Sequence, residues 1–265
     1  MRAVLLDFDG TLVDSGPSIC AGLSAALRSL SLPVPPEAEL RACIGLPLKH
    51  VWSRLGVPAE QHQAAGDGYR AWSRSADAVP AKPFAGIPEL LRLLRRRGVL
   101  LVLASAKDTD SARRAVAAQG WEQLFHAVHG AEPGDGPDKR DLVRRALGSL
   151  PAGCSVAAMV GDMPVDADAA AANAIPFIGC LWGYGRRSDL AALPHLAMAS
   201  DVRGLTRVLS EQRAPRRGVL LRFLVWHLIG FAVAVGGFEA WHQWRHGTHA
   251  PLVAWFIPDQ PAGRR

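Results

Sequence analysis

Cysteine is sparse in this chain of 265 residues, and its four positions, Cys20, Cys43, Cys154 and Cys180, form no Cys-x-x-Cys pair. That scatter supplies no thiol motif and fits reduced, mostly buried thiols in a cytoplasmic domain. Basic and aromatic residues do not interleave. Despite a formal charge of +6, no nucleic-acid-binding module is therefore expected; much of the excess lies in arginines near position 95 and between 213 and 222. The first residues enter a strand pattern at once, so no signal peptide is expected.

The hydrophobic fraction is 49%, and the length suits one good core plus a smaller domain. The strongest local signal is Val4-Leu5-Leu6-Asp7-Phe8-Asp9-Gly10-Thr11-Leu12-Val13-Asp14. Its apolar run reads as a buried parallel strand with two carboxylates where it ends. Alternate strand residues point the same way, so Asp7 and Asp9 share one side while Phe8 packs on the other. Gly10 permits a sharp turn that brings amide N–H groups close to an anion, and Thr11 adds a hydroxyl. Paired carboxylates beside an anion-friendly turn point to a divalent cation and a phosphate.

Further along, Ser15-Gly16-Pro17 starts a helix, and Ile19, Leu23, Leu27 and Leu30 recur at helical spacing. Glu37–Ile44, Leu48–Leu55 and Ala59–Ser75 read as more helices, making residues 16–79 an all-helical insert. Beyond it, strands Val99–Ala104, Ala127–His129, Ala157–Val160 and Phe177–Leu181 alternate with a helix carried by Leu90, Leu91, Leu93 and Leu94 and ending at Gly98, and with helices near 108–119, 138–147, 165–173 and 201–209. This alternation predicts an α/β fold with a doubly wound, Rossmann-like parallel sheet, built from residues 1–15 and 80–212.

Three more places gather chemistry. Ser105 ends the second strand, and its hydroxyl with the Ala106 N–H can hold phosphate oxygens; Lys107 beside it is assigned to solvent by default. Lys139 opens a helix against the macrodipole, with Arg140 as its rival. Asp162 and Asp166 are four apart at a helix entry and share a face, whereas Asp168 reads as a solvated helix residue. Asp7, Asp9, Asp162 and Asp166 would converge at one sheet edge, where two like charges about 4 Å apart repel by roughly 4 kcal/mol at an effective dielectric near 20. Mg²⁺ and Lys139 supply the compensation, and all-oxygen ligands suit that ion.

The Asp7-Phe8-Asp9-Gly10-Thr11 and Gly161-Asp162-Met163-Pro164-Val165-Asp166 stretches, with Ser105 and Lys139 between them, resemble the four motifs of the haloacid dehalogenase superfamily. The resemblance covers about residues 3–212 and makes the insert 16–79 a helical cap. It implies that Asp7 is a nucleophile forming an acyl-phosphate and that Asp9 is the general acid and base. It implies that Lys139 steadies the transferring phosphoryl group, and that Asp162 and Asp166 hold Mg²⁺ with Asp7 and Asp9. Asp14-Ser15-Gly16-Pro17, Ile44-Gly45-Leu46-Pro47-Leu48 and Gly183-Tyr184-Gly185 are similar to the phosphoglycolate phosphatase-like branch, including bacterial 5′-nucleotidases.

The substrate expected is a small phosphorylated metabolite, selected by the cap. Of Lys49, His50, Arg54 and Arg70, Lys49 is the preferred contact because it follows the Gly45-Leu46-Pro47 turn. A sugar-phosphate mutase would keep the same core motifs. A dehalogenase would not need Asp9 or a magnesium site, and a non-catalytic binding module would be expected to have lost Asp7 or Asp9.

Residues 213–265 form a C-terminal extension. Within it 219–238 is nearly all apolar, broken by Arg222 and His227 and followed by Trp241 and Trp244. It reads as a membrane helix anchoring a cytoplasmic domain, oriented by Arg213, Arg216, Arg217 and Arg222 on its N-terminal side. A core-packing helix is the alternative.

Overall fold

In a computed structural model, residues 1–46, 48–75, 78–131 and 138–211 are described. Six parallel strands form the sheet: β1 (Arg2–Leu6), β4 (Val99–Asp108), β5 (Ala127–Ala131), β6 (Ser155–Gly161), β7 (Phe177–Cys180) and β8 (Ala197–Ala199), in the order β5-β4-β1-β6-β7-β8. The short strands β2 (Val13–Asp14) and β3 (Lys82–Pro83) make a separate antiparallel ribbon. Strand order runs outward from β1 in one direction and then restarts on its other side. The crevice at that reversal, at the carboxyl ends of the strands, is where such sheets bind ligands.

Register explains why the motifs meet. Leu6 pairs with Leu103 on one side and with Val160 on the other. The residues that follow on the three strands, Asp7, Ser105 and Asp162 among them, therefore stand side by side at this edge of the sheet. Alternation along β1 supplies both cores. Val4 and Leu6 face a cluster with Leu90, Leu91 and Leu94 of α5 (Ile87–Arg96), Val116 of α6 (Thr109–Ala118) and Leu205 and Leu209 of α10 (Val202–Glu211). Leu5 faces Leu142 and Val143 of α7 (Lys139–Gly148) and Ala167 and Ala170 of α8 (Pro164–Ala172). Each large aliphatic side chain buried this way contributes about 1.5–3 kcal/mol. The expected parallel α/β sheet with helices on both faces is present.

Among the described residues of 16–79 lie four α-helices, α1 (Gly16–Ser29), α2 (Glu37–Arg41), α3 (Leu48–Arg54) and α4 (His62–Ser73). They share a third core around Leu23, Leu27, Leu40, Val51, Trp52 and Ala65. The expected helix Glu37–Ile44 ends at Arg41 and continues as turns, and Ala59–Gln61 is a 3₁₀ turn ahead of α4. β4 runs four residues beyond the expected Ala104, because Asp108 finds a ladder partner in Ala131 across an irregularity. A further short helix, α9 (Arg187–Ala191), and β8 complete the elements among the described residues.

Among the described residues no helix is long and apolar enough to cross a membrane. The membrane helix expected at 219–238 lies outside them.

Candidate active site

Asp7 takes one more ladder bond past β1, its N–H donating to the Val160 carbonyl at 2.9 Å. Its side chain is buried. The chain then turns through 8–13, with the Gly10 N–H on the Val13 carbonyl and the Leu12 N–H on the Phe8 carbonyl. Gly10 has φ +78°, and a Cβ there would overlap the Asp162 carboxylate. No other residue fits that turn without strain.

Asp7, Asp162 and Asp166 each offer a carboxylate oxygen, and the three oxygens lie within 4.8 Å of one another. Thr11 Oγ1 donates to Asp162 Oδ1 at 2.8 Å, and the Tyr184 N–H donates to Oδ2 at 2.8 Å. Asp166 Oδ2 accepts the Met163 N–H at 3.0 Å, which caps the start of α8. Lys139 bridges the set, with Nζ 2.6 Å from Asp7 Oδ1 and 2.5 Å from Asp166 Oδ1. Its helix position is supported by the Asp138 side chain, which accepts the Arg140 N–H as an N-cap. Asp168 is exposed, as expected, and so is Arg140, the rival of Lys139.

Charge crowding is visible in the acidities. Burial is the main force holding the Asp7 carboxyl well above the ordinary carboxylate range; Lys139 pulls it down, and Asp166 and Asp162 push it further up. Burial, followed by repulsion from Asp166, pushes Asp162 up to about 7. For Lys139 burial favours the neutral amine, but Asp166 and Asp7 outweigh it and the pKa is raised.

These residues fit a hard divalent cation. The donors are all oxygens. The pocket is also kept clear of side chains, since a Cβ at Gly161 would overlap Asp166 and one at Gly183 would overlap Asp162.

Several placements differ from the sequence reading. The Asp9 carboxylate, counted with the metal ligands, stands outside the three-carboxylate set; its Oδ2 lies 2.9 Å from Lys107 Nζ. Lys107 is accordingly not a solvent lysine, its side chain being 23% exposed. The Thr11 hydroxyl, expected to help hold phosphate, is committed to Asp162. Ser105, expected to end its strand, lies within β4 instead, buried, with its Oγ accepting the Lys107 N–H at 3.3 Å. Ala106 follows it in β4.

Two tyrosines escaped sequence reasoning. Tyr184, read there as part of a structural turn, holds Asp162 through its N–H while its hydroxyl donates to Asp14 Oδ1 at 2.8 Å and accepts the Gly16 N–H at 2.6 Å. It thus ties an acidic ligand to the root of the helical insert. Tyr69 of α4 lies close enough to Lys107 and Asp9 to feel both charges, although burial dominates the rise in its pKa. Nothing in the local pattern around Tyr69 announces this. For Lys107, the two-residue spacing from Ser105 on an extended strand was the available signal.

In the insert, Gly45 sits against the Met163 side chain, so the expected turn does meet the core. His50 and Arg54 are exposed, and Arg70 pairs with Asp67 at 2.6 Å. The Lys49 side chain lies outside the described residues.

A parallel sheet whose central strand delivers an aspartate pair opposite a Gly-Asp-x-x-x-Asp turn and a buried lysine defines a class. The family model described as haloacid dehalogenase-like hydrolase matches residues 4–180, and the chain belongs to that family. Among curated relatives, "Tyrosine-protein kinase PtkA" of Mycobacterium tuberculosis is 32% identical over 76% of this chain and 71% of its own length. "5'-nucleotidase" of Pseudomonas aeruginosa is 31% identical over 78% of this chain and 95% of its own. "Phosphoglycolate phosphatase" of Caulobacter vibrioides is 32% identical over 68% and 79%. Of solved structures, a predicted phosphatase from Clostridium acetobutylicum superposes with TM-score 0.72 and 27% identity, over 79% of this chain and 98% of that one. The chain is a hydrolase of this family, grouped with its phosphatases.

Proposed function

We propose that the chain is a Mg²⁺-dependent phosphomonoester hydrolase that turns over a small phosphorylated metabolite through an aspartyl-phosphate on Asp7. One observation carries this reading: the Asp7 carboxylate is held at Oδ1 by Lys139, inside the acidic set, with Asp9 two residues away and outside it. When bound by Asp7, Asp162 and Asp166, Mg²⁺ would supply charge neutralisation for a phosphoryl group.

The chain's own residues do the rest. An Asp7 oxygen attacks phosphorus, the bond from phosphorus to the leaving oxygen breaks, and Asp9 gives that oxygen its proton. A water then attacks the aspartyl-phosphate while the Asp9 carboxylate takes a proton from it, releasing phosphate and restoring both carboxyls. Lys139 fixes the orientation of Asp7 and balances charge on the phosphoryl oxygens. Ser105 Oγ and the Ala106 N–H, at the sheet edge, are the phosphate contacts with the Gly10 turn.

The relatives named for phosphoglycolate and for 5′-nucleotides support a small metabolite as substrate. The contact of Gly45 with Met163 supports selection by the insert near Gly45. A turnover panel with Mg²⁺, containing phosphoglycolate, nucleoside monophosphates, sugar phosphates and p-nitrophenyl phosphate, tests this reading. Lys49→Ala is expected to lower kcat/KM for the preferred metabolite by about tenfold or more, the loss of one charged contact, and to leave p-nitrophenyl phosphate within about twofold. Equal losses on every substrate would make Lys49 a support of the helical insert.

The segment 219–238 is proposed as a membrane anchor with the phosphatase on the cytoplasmic side, on the strength of its apolar sequence and the arginines preceding it. Cell fractionation is expected to release the full-length chain with detergent but not with salt. Recovery in the soluble fraction at low salt would remove the anchor.

A further inference from the structure

Asp9 and Lys107 meet at the mouth of the site, from residues almost a hundred positions apart. Nζ lies 2.9 Å from Asp9 Oδ2, with the side chains only 23% and 20% exposed. An exposed lysine–carboxylate pair contributes little and wanders. This one is partly desolvated and lies beneath the helical insert, where Tyr69 feels both charges. Lys107 itself is anchored, since its N–H donates to Ser105 Oγ at 3.3 Å and the next residue, Asp108, caps α6 by accepting the Ser111 N–H at 2.9 Å.

The other oxygen of Asp9 completes the observation. Oδ1 is buried and has no hydrogen-bond partner among the described residues. A buried polar atom left unpaired is costly, so this oxygen is set to meet a group that the described residues do not supply. The carboxyl is gripped at one oxygen and open at the other. An ammonium has three donors and no acceptor, so it pairs only with an oxygen that carries no proton. With Oδ2 taken by Lys107, Oδ1 is the oxygen of Asp9 left to meet a substrate atom.

We propose that Lys107 is a positioning residue for the hydrolytic reaction: it grips Oδ2 of Asp9 and thereby presents the proton on Oδ1 to the oxygen that leaves phosphorus. This rests on the phosphomonoesterase reading. In the first half-reaction the bond between Asp7 and phosphorus forms and the bond from phosphorus to the leaving oxygen breaks. The Oδ1 proton passes to that oxygen, leaving Asp9 a carboxylate paired with Lys107. An alkoxide needs the proton as it departs, whereas p-nitrophenolate departs without one. Aim therefore matters most for alkyl esters.

The test compares full-length protein with Mg²⁺ on glycerol phosphate and on p-nitrophenyl phosphate. For Lys107→Met, kcat on the alkyl ester is expected to fall about 30- to 100-fold, within the roughly 10²–10⁴ that a whole general acid contributes. On the aryl ester the fall is expected to stay under about fivefold, with KM for either nearly unchanged. Lys107→Arg, which still donates to Oδ2, is expected to recover most of the alkyl rate. Asp9→Asn is expected to show the same preference for the aryl ester, and adding Lys107→Met to it to cost little more, because the two act as a unit. If the methionine variant does not fold, Lys107→Gln and Lys107→Arg carry the same comparison. Equal losses on both esters would reduce Lys107 to charge balance and overturn the proposal. A raised KM with kcat intact would make it a substrate contact and overturn it equally. Wild-type protein inactive on both esters would instead remove the phosphomonoesterase reading itself, and this assignment with it.

Discussion

Replacing Asp7 with asparagine is expected to lower turnover by at least about a thousandfold, the scale of losing a nucleophile, while the melting temperature holds or rises. The second half of that expectation comes from the metal-free site. Burial opposes the charge on Asp7 most strongly, and Asp166 and Asp162 add repulsion. An amide of the same shape removes that charge, and Lys139 keeps its contact with Asp166. Purified Asp7→Asn with near wild-type kcat would remove Asp7 as nucleophile. A variant that is inactive but melts far below wild type would mean that Asp7 also supports the fold.

Chelation is expected to abolish activity, and the response of stability to Mg²⁺ is expected to depend on pH. Burial and Asp166 raise Asp162 to about 7. A raised acid is bound more tightly by its proton in the fold than in the unfolded chain. Its contribution to stability is therefore complete below the ordinary carboxylate pKa, about 4, and lost as pH rises through about 7. Mg²⁺ takes the charged form and competes with that proton. Apparent Mg²⁺ affinity is expected to fall roughly tenfold per pH unit below about 7, since one pKa unit is about 1.4 kcal/mol. Scanning fluorimetry with and without Mg²⁺ at about pH 5.5 and about pH 8 checks this. A thermal shift no larger at the higher pH would count against Asp162 as a ligand, and full turnover in excess chelator against the metal altogether.

Much of this was legible because its causes are local. Four apolar residues ending at Asp7 can only be an inner strand, and the four-residue spacing of Asp162 and Asp166 at a helix entry puts both carboxylates on one side. Lys139 was legible as an anomaly: a cation at a helix start is held there by something stronger than the dipole, and Asp7 and Asp166 are that something. The errors share the opposite origin. Lys107 looks like a surface lysine until Asp9 is brought to it. The Thr11 hydroxyl is taken by a residue 151 positions away. Tyr184 works through its backbone N–H and a hydroxyl that reaches Asp14 and Gly16, so neither tie has a pattern in the chain. The β2–β3 ribbon was illegible for a simpler reason. Two-residue strands have no period, and Pro83 argues against one.

That ribbon bears on how the chain folds. β1 and β4 are neighbours in the sheet, yet the whole helical insert lies between them in sequence. Closing a loop of roughly 90 residues is an entropic obstacle to the first strand pairing of the core. The ribbon pairs Val13 with Pro83 and Asp14 with Lys82, so the insert enters and leaves through the same point. Once its four helices have packed on their own apolar cluster and the ribbon has formed, only roughly 20 residues still separate β1 from β4, and the closure cost falls by about 1 kcal/mol. The helical insert would then also shorten the search by which the parallel sheet assembles.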